Sequence, residues 1–352
     1  MPASAATPPL SVLPQRVVAP FVPAAIFNSR LLSEDSQWQG AIQVDGMVTV
    51  AAKATLTLMP GTVVRFGPDS GILVLGRIVA KGTAEQPIQL TSYYSQPVPA
   101  DWYGIVLTGT AKKNIFEQLQ LQGAEAAIYA KSSSLELKQV HIENSSSGLI
   151  LTNSIADARN IAVTGCSSGI SSIKSEIDLE AVTIERCETA LSVRSSSLSA
   201  SRLKISASYK TAFTAEKSQL RIERSLFSAN LDGAVLKACE GSINNSRFVA
   251  NAETAVALSE SPLRFSANLV SGSKVGIQLQ DNLPSVWGNS IYANSSYSIF
   301  YSGADNIYLG GNWLGTTSNE LVNKSLFSKR ADAIMLLPLL AADPLIDPLK
   351  DF

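Results

Sequence analysis

Cysteine, histidine and charge are scarce in this chain, and each scarcity closes off a class of function. Of 352 residues, three are Cys and one is His. No CxxC pair occurs, so a structural zinc site of the usual spacing is excluded. Three thiols in a chain of this length do not make a disulfide scaffold. Charged residues are 16% against a usual quarter, and they balance to a net −1. That leaves no basic excess for a nucleic acid or a polybasic membrane patch. No apolar run approaches the ~18 residues needed to span a bilayer. A nucleophile elbow, a P-loop and HExxH are all missing. The opening stretch lacks the basic region and apolar core of a secretion signal. It is rich in Pro and Ala, and residues 1–30 read as a semi-rigid leader or linker.

What the chain does have is a period. A Gly, Ala or Ser followed by an aliphatic or aromatic residue recurs at Ala127, Gly148, Gly169, Ala190, Ala212, Gly233, Ala255, Gly276 and Ser298, at intervals of 21 or 22. Repeats are read before anything else. Within each unit apolar residues fall at +1, +3, +8, +10, +13 and +15, for example Leu149, Leu151, Ala156, Ala158, Ile161 and Val163. Pairs two apart have the strand period. Ser, Asn, Gly and Asp between the pairs favour turns. Short strands bury their apolar face only by stacking on the next unit. The expected fold is all-β, a right-handed parallel β-helix (solenoid) of about 11–12 coils over residues 31–318, with residues 319–352 as a C-terminal cap segment. Asn144, Asn230, Asn251 and Asn294 sit at corners where stacked amides can bond along the axis. Cys166 and Cys187 take that corner in successive units. They read either as buried thiols in place of Asn or as a disulfide.

The front end carries more specific phrases: TLMPGTVVRF (Thr57–Phe66), GRIVAKGTAEQPIQLTS (Gly76–Ser92) and WYGI (Trp102–Ile105). GNWLGTT (Gly311–Thr317) stands near the end. With the repeats, these resemble the bacterial right-handed parallel β-helix repeat proteins of the pectin lyase-like superfamily. The superfamily holds lyases, hydrolases, epimerases, adhesins and envelope accessory proteins. The resemblance therefore implies the fold far more sharply than the function.

Enzymes of that kind need carboxylates converging on one face. The outward +2 column (Tyr129, Ile150, Ser171, Ser192, Thr214, Val235, Ala257, Gln278, Phe300) has none, and the +4 column has only Glu216 between Arg194 and Lys237. The +9 column stacks Glu136, Asp157 and Asp178, with Lys138, Arg159 and Glu180 beside it. As function this is a Ca²⁺ site of Glu136, Asp157 and Asp178, or a catalytic group of Asp157, Asp178 and Arg159. As structure it is a solvated, laterally neutralised charge ladder. His141, at +14, reads as an exposed side chain. Tyr93 and Tyr94, in a loop leaving the coil, and Phe300 are candidate ligand-binding aromatics. The leading expectation is a non-catalytic secreted, cell-surface or periplasmic scaffold offering a rigid lateral face to a polysaccharide or an envelope protein. Two alternatives stand beside it: a lyase or glycosidase acting on acidic glycans, and an accessory protein of an envelope complex.

Overall fold

The computed structural model describes residues 16–281, 284–330 and 332–345. The period is a coil of three short strands, as in Ser147–Thr152, Ile155–Arg159 and Ala162–Thr164. Each strand pairs in parallel with its counterpart one coil on. Three parallel sheets thus run along a right-handed solenoid of about 13 turns. The first sheet follows each unit start, and the second and third follow in order. Leu149, Leu151, Ala156, Ala158, Ile161 and Val163 all point into one continuous core. Burying an aliphatic side chain of this kind contributes about 1.5–3 kcal/mol, which is why four-residue strands hold once stacked.

The turns outnumber the 11–12 expected because the helix reaches further at both ends. Ala25–Leu32, which begins inside the stretch read as a leader, pairs with Ala41–Val50 as the first rung. Leu326–Ser328, inside the stretch read as a cap, adds a last rung on Tyr297–Tyr301. The same stretch contains the one helix among the described residues, Asn319–Lys324. Residues 1–15 of the leader and 346–352 of the cap lie outside the described residues.

Polar ladders run inside the corners. Between the first and second sheets the backbone N–H of Ser133 donates to Ser154 Oγ (3.1 Å), that of Ser154 to Ser175 Oγ (3.0 Å), and that of Ser175 to Ser196 Oγ (3.0 Å). Between the second and third, Asn268, Asn289 and Asn312 form an amide stack. At the third corner Ser208, Asn230 and Asn251 do the same. These bonds satisfy buried corner N–H groups that the strand ladders leave over. Asn144 is not a rung. It turns the backbone in the left-handed region (φ 46°), and neighbouring Ser145 supplies the rung by accepting from the N–H of Ala124 (3.2 Å). Gly165, Arg186, Ala207, Ala229 and Ala250 hold the same left-handed turn in later coils.

Cys166 and Cys187 are rungs of this third ladder, buried and free, each thiol facing the carbonyl two residues back. A hydrogen bond to Cys187 and then burial push the Cys166 thiol up, and burial pushes Cys239 up. Cys166 and Cys239, so held in the protonated form, are poor nucleophiles.

The front-end phrases are packing devices. Trp102 stacks on Phe66 inside the core at 4.0 Å, and Phe27 on Trp38 at 4.8 Å. Further along, Phe227 and Phe248 occupy the same inward position in successive coils and stack parallel at 4.6 Å.

Candidate functional site

Because each coil repeats the last, outward side chains form columns, and each column is a candidate surface. The register places Glu136, Asp157 and Asp178 opposite one another on the second sheet. Two of the three meet cations of the protein itself. Lys113 pairs with Glu136 (3.7 Å), and Arg159 spans Asp157 (2.9 Å) and Glu180 (3.0 Å). Arg202 closes on Glu180 from the next coil (2.6 Å). Among the described residues no three acidic, His or Cys side chains form a metal-binding group. Hydrogen bonding to Asp157 holds the Arg159 guanidinium further up, so it is no proton acceptor. The geometry is that of a laterally neutralised ladder, and exposed pairs of this kind contribute little to stability. Asp157→Ala is therefore expected to leave the melting temperature nearly unchanged and to leave Ca²⁺ binding, read by titration calorimetry, unchanged. A lost Ca²⁺ isotherm would restore the cluster as a metal site.

Tyr93 and Tyr94 do not line an open groove. Residues 16–24 run down the outside of the third sheet as a strap. Ala24 bonds Ala41 (2.7 Å), Arg65 lies over the Phe21 ring, and Val18 bridges Tyr94 antiparallel. At its end the Arg16 guanidinium lies 3.8 Å over the Tyr94 ring and clasps the buried Asp101 carboxylate. Burial pushes that carboxyl up. The hydrogen bonds from Arg16, the Val98 N–H and Ser92 outweigh it, leaving the group below the ordinary carboxylate range. His141 is exposed on the third sheet between Gln120 and Ala162.

Phe300 stacks on Phe327 of the next rung at 4.4 Å, with Tyr297 against both. It belongs to a longer column on the first sheet: Leu73, Val106, Tyr129, Ile150, Ser171, Ser192, Thr214, Val235, Ala257, Gln278, Phe300 and Phe327, each the register partner of the next. None is charged. At ~4.8 Å per coil this lane runs ~50 Å. Two shallow pits open along it. One, of about 450 Å³, lies among Tyr103, Val106, Tyr129 and Ile150. The other, of about 370 Å³, lies among Ser171, Ser192, Thr214 and Val235. A hydroxyl column, Ser147, Ser168, Thr189 and Thr211, borders it on one side. Tyr129 to Phe300 were readable from the period, while Leu73, Val106 and Phe327 joined the lane only through the strand register. Its two pits were not, since they depend on how neighbouring columns lean.

A family model described as a pectate-lyase like beta helix domain matches residues 32–132, and one described as a right handed beta helix region matches 126–284. No curated protein matches the chain. Among solved structures, a variant of the periplasmic alginate epimerase AlgG is similar at 10% identity and a TM-score of 0.46, over 84% of this chain and 77% of that one. The A-module of the Azotobacter vinelandii mannuronan C-5 epimerase AlgE6 is similar at 8% identity and a TM-score of 0.35, over 91% of each chain.

Proposed function

The chain is a pectin lyase-like parallel β-helix repeat protein, and from that premise we propose that it is a non-catalytic scaffold, acting outside the cytoplasm, that holds an extended polysaccharide along the outward face of its first sheet. The observation that carries this reading is the unbroken uncharged lane from Leu73 to Phe327. A sugar chain offers hydroxyls and apolar ring faces in alternation. A surface for it combines hydroxyls with flat apolar side chains, and it must be rigid so that little ordering entropy is lost on binding. Tyr129, Ile150 and Val235 supply the apolar contacts, and Ser171, Ser192 and Thr214 the hydroxyls. The parallel ladders keep them in line without adjustable loops. Glu136 is engaged with Lys113, and Asp157 and Glu180 with Arg159, which favours holding over cleavage.

The test is affinity electrophoresis through gels containing neutral and acidic polysaccharides, with product assays for reducing ends and unsaturated sugars run alongside. At least one polysaccharide is expected to retard the protein. Ile150→Glu and Val235→Glu are expected to weaken that retention about tenfold, or ~1.4 kcal/mol. Ile155→Glu, an exposed aliphatic of the second sheet, serves as the control and is expected to change nothing. Turnover would overturn the non-catalytic part. Retention indifferent to Ile150 and Val235 would overturn the lane.

A further inference from the structure

The two ends of the solenoid are finished differently. At the first rung the core column is closed. Trp38 is buried and stacks on Phe27, and Leu32 is buried as well. Arg30 is the register partner of Val48, a core residue, so the column carries a guanidinium there, 5.8 Å over the Phe27 ring. The strand also shifts register between Asn28 and Arg30. A charge at a core position and a break in the ladder both keep an edge from pairing further. Another coil laid on this end would bury the Arg30 charge, which is costly.

The last rung has no such finish. Leu326 and Ile334 are register partners of Ile299 and Ile307, which are buried, and Leu336 follows two residues on. All three are only partly buried. They open onto a cavity of about 800 Å³, with no charged residue among the described residues that line it. Tyr308, Met335 and Leu337 belong to its lining and are exposed, Leu337 by 78%. Beyond Leu339 the chain turns back toward the third sheet: the Leu340 N–H donates to the Asn312 carbonyl (3.4 Å) and Ser290 to Asp343. The described residues therefore leave the apolar column uncovered at this end, where a solenoid needs a cover.

We infer that the cover is the same end of a second copy of this chain, in a two-fold, tail-to-tail dimer. The first rung cannot serve, because Arg30 would enter the cavity as a buried charge; that removes head-to-tail stacking and leaves the pairing of like ends. The area suffices. A coil of 21 residues has a perimeter of ~70 Å and a backbone radius of ~11 Å, and ~5 Å of side chain brings the end face to ~800 Å². Each partner in a standard interface contributes about that much. Charge does not oppose it: Glu320 pairs with Lys324 and Arg330 with Asp332, leaving Lys329 as a single cation and no block of one sign. Among the described residues neither Leu326–Ser328 nor Ile334–Met335 has a strand partner on its outer side, and a two-fold axis brings each open edge to its own copy. The inference is independent of what the first sheet holds.

Sedimentation velocity from ~1 to ~100 µM, where interfaces of this size associate, is expected to show a monomer–dimer equilibrium and nothing larger. Small-angle scattering should then give a longest dimension of ~125 Å, twice the ~62 Å of one solenoid of about 13 turns. The double variant Met335→Glu, Leu337→Glu changes only exposed side chains, so it should fold, as thermal melting will check, and its dissociation constant should rise at least tenfold. Ile26→Glu, at an exposed aliphatic of the first rung, is the control and should change nothing. A chain that stays monomeric throughout overturns the inference; if removing residues 346–352 then produces the dimer, the chain's own last residues are the cover. A dimer no longer than one solenoid, or one indifferent to the double variant, overturns it in favour of a side-by-side contact. Growth beyond the dimer overturns the two-fold closure, since it requires the Arg30 end to join.

Discussion

Asn289→Ala is expected to lower stability by about 3–4 kcal/mol, the largest effect of any single truncation at a corner. The Asn289 side chain is fully buried. Its amide nitrogen shares two N–H donors among the carbonyls of Phe265 (2.9 Å) and Trp287 (3.0 Å) and Asn312 Oδ1 (2.9 Å). Its own Oδ1 accepts from the backbone N–H of Asn268 (2.9 Å) and from the Asn268 amide (3.2 Å). Ala leaves the Asn268 N–H and the Phe265 carbonyl buried without these partners, at about 1–3 kcal/mol for each group. Water cannot easily replace them in a closed corner. Asn289→Ser should cost less than half as much, because Ser225 and Ser246 serve as rungs of the same ladder through Oγ. The shift of the urea midpoint measures both, and hydrogen exchange at Asn268 locates the damage. An alanine variant within 1 kcal/mol of wild type would show that these amide ladders follow the fold without holding it.

Asp101→Ala should act on the strap and hardly on the core. Removing one partner of a buried pair costs more than the pair contributes, since the other is left uncompensated. Arg16 is only partly buried, so the expected loss is about 2 kcal/mol, confined to local opening of residues 16–24. The bond after Arg16 then becomes a trypsin site. Cleavage there should accelerate about 20–30-fold with little change in overall melting, because proteolysis of an opened segment follows its population. The same latch responds to acid. The Asp101 carboxyl is held below its unfolded value, so its contribution is complete above about pH 4 and is lost as pH falls through the folded value. Strap cleavage by an acid-active protease should rise below that pH in the wild type and stay flat in Asp101→Ala. Equal cleavage of both proteins at neutral pH would remove Arg16 and Asp101 as a latch.

How much of this could be read from the chain depended on range. The coil, its three inward pairs and the outward columns are written at a fixed spacing, and the register Tyr129, Ile150, Ser171 follows from it directly. The corner ladders were half legible. Ser, Cys and Asn all serve as rungs, so following Asn alone picked Asn144, which turns the backbone, over Ser145, which carries the bond. The first rung was hidden because Ala25–Leu32 has a coil on one side only and exposes Ile26 and Leu31, which blurs the alternation. Tyr93 and Tyr94 looked available because their cover is Arg16 and Val18, distant in sequence. The charge column of Glu136, Asp157 and Asp178 was visible, but whether it met a cation of solution or of the protein depended on the reach of Arg159 and Lys113.

Parallel stacking gives the molecule a property that a globular domain lacks. Each coil is related to the next by a translation of ~4.8 Å, and every rung offers the same edges above and below. One whole coil can therefore be added or removed between, say, Ser192 and Thr214 without disturbing a corner, a ladder or the core on either side. What changes is the extent of the first sheet. The protein is in that sense a ruler whose graduations are its repeats. Gene duplication or deletion of a single repeat would lengthen or shorten that sheet by one fixed step of ~4.8 Å.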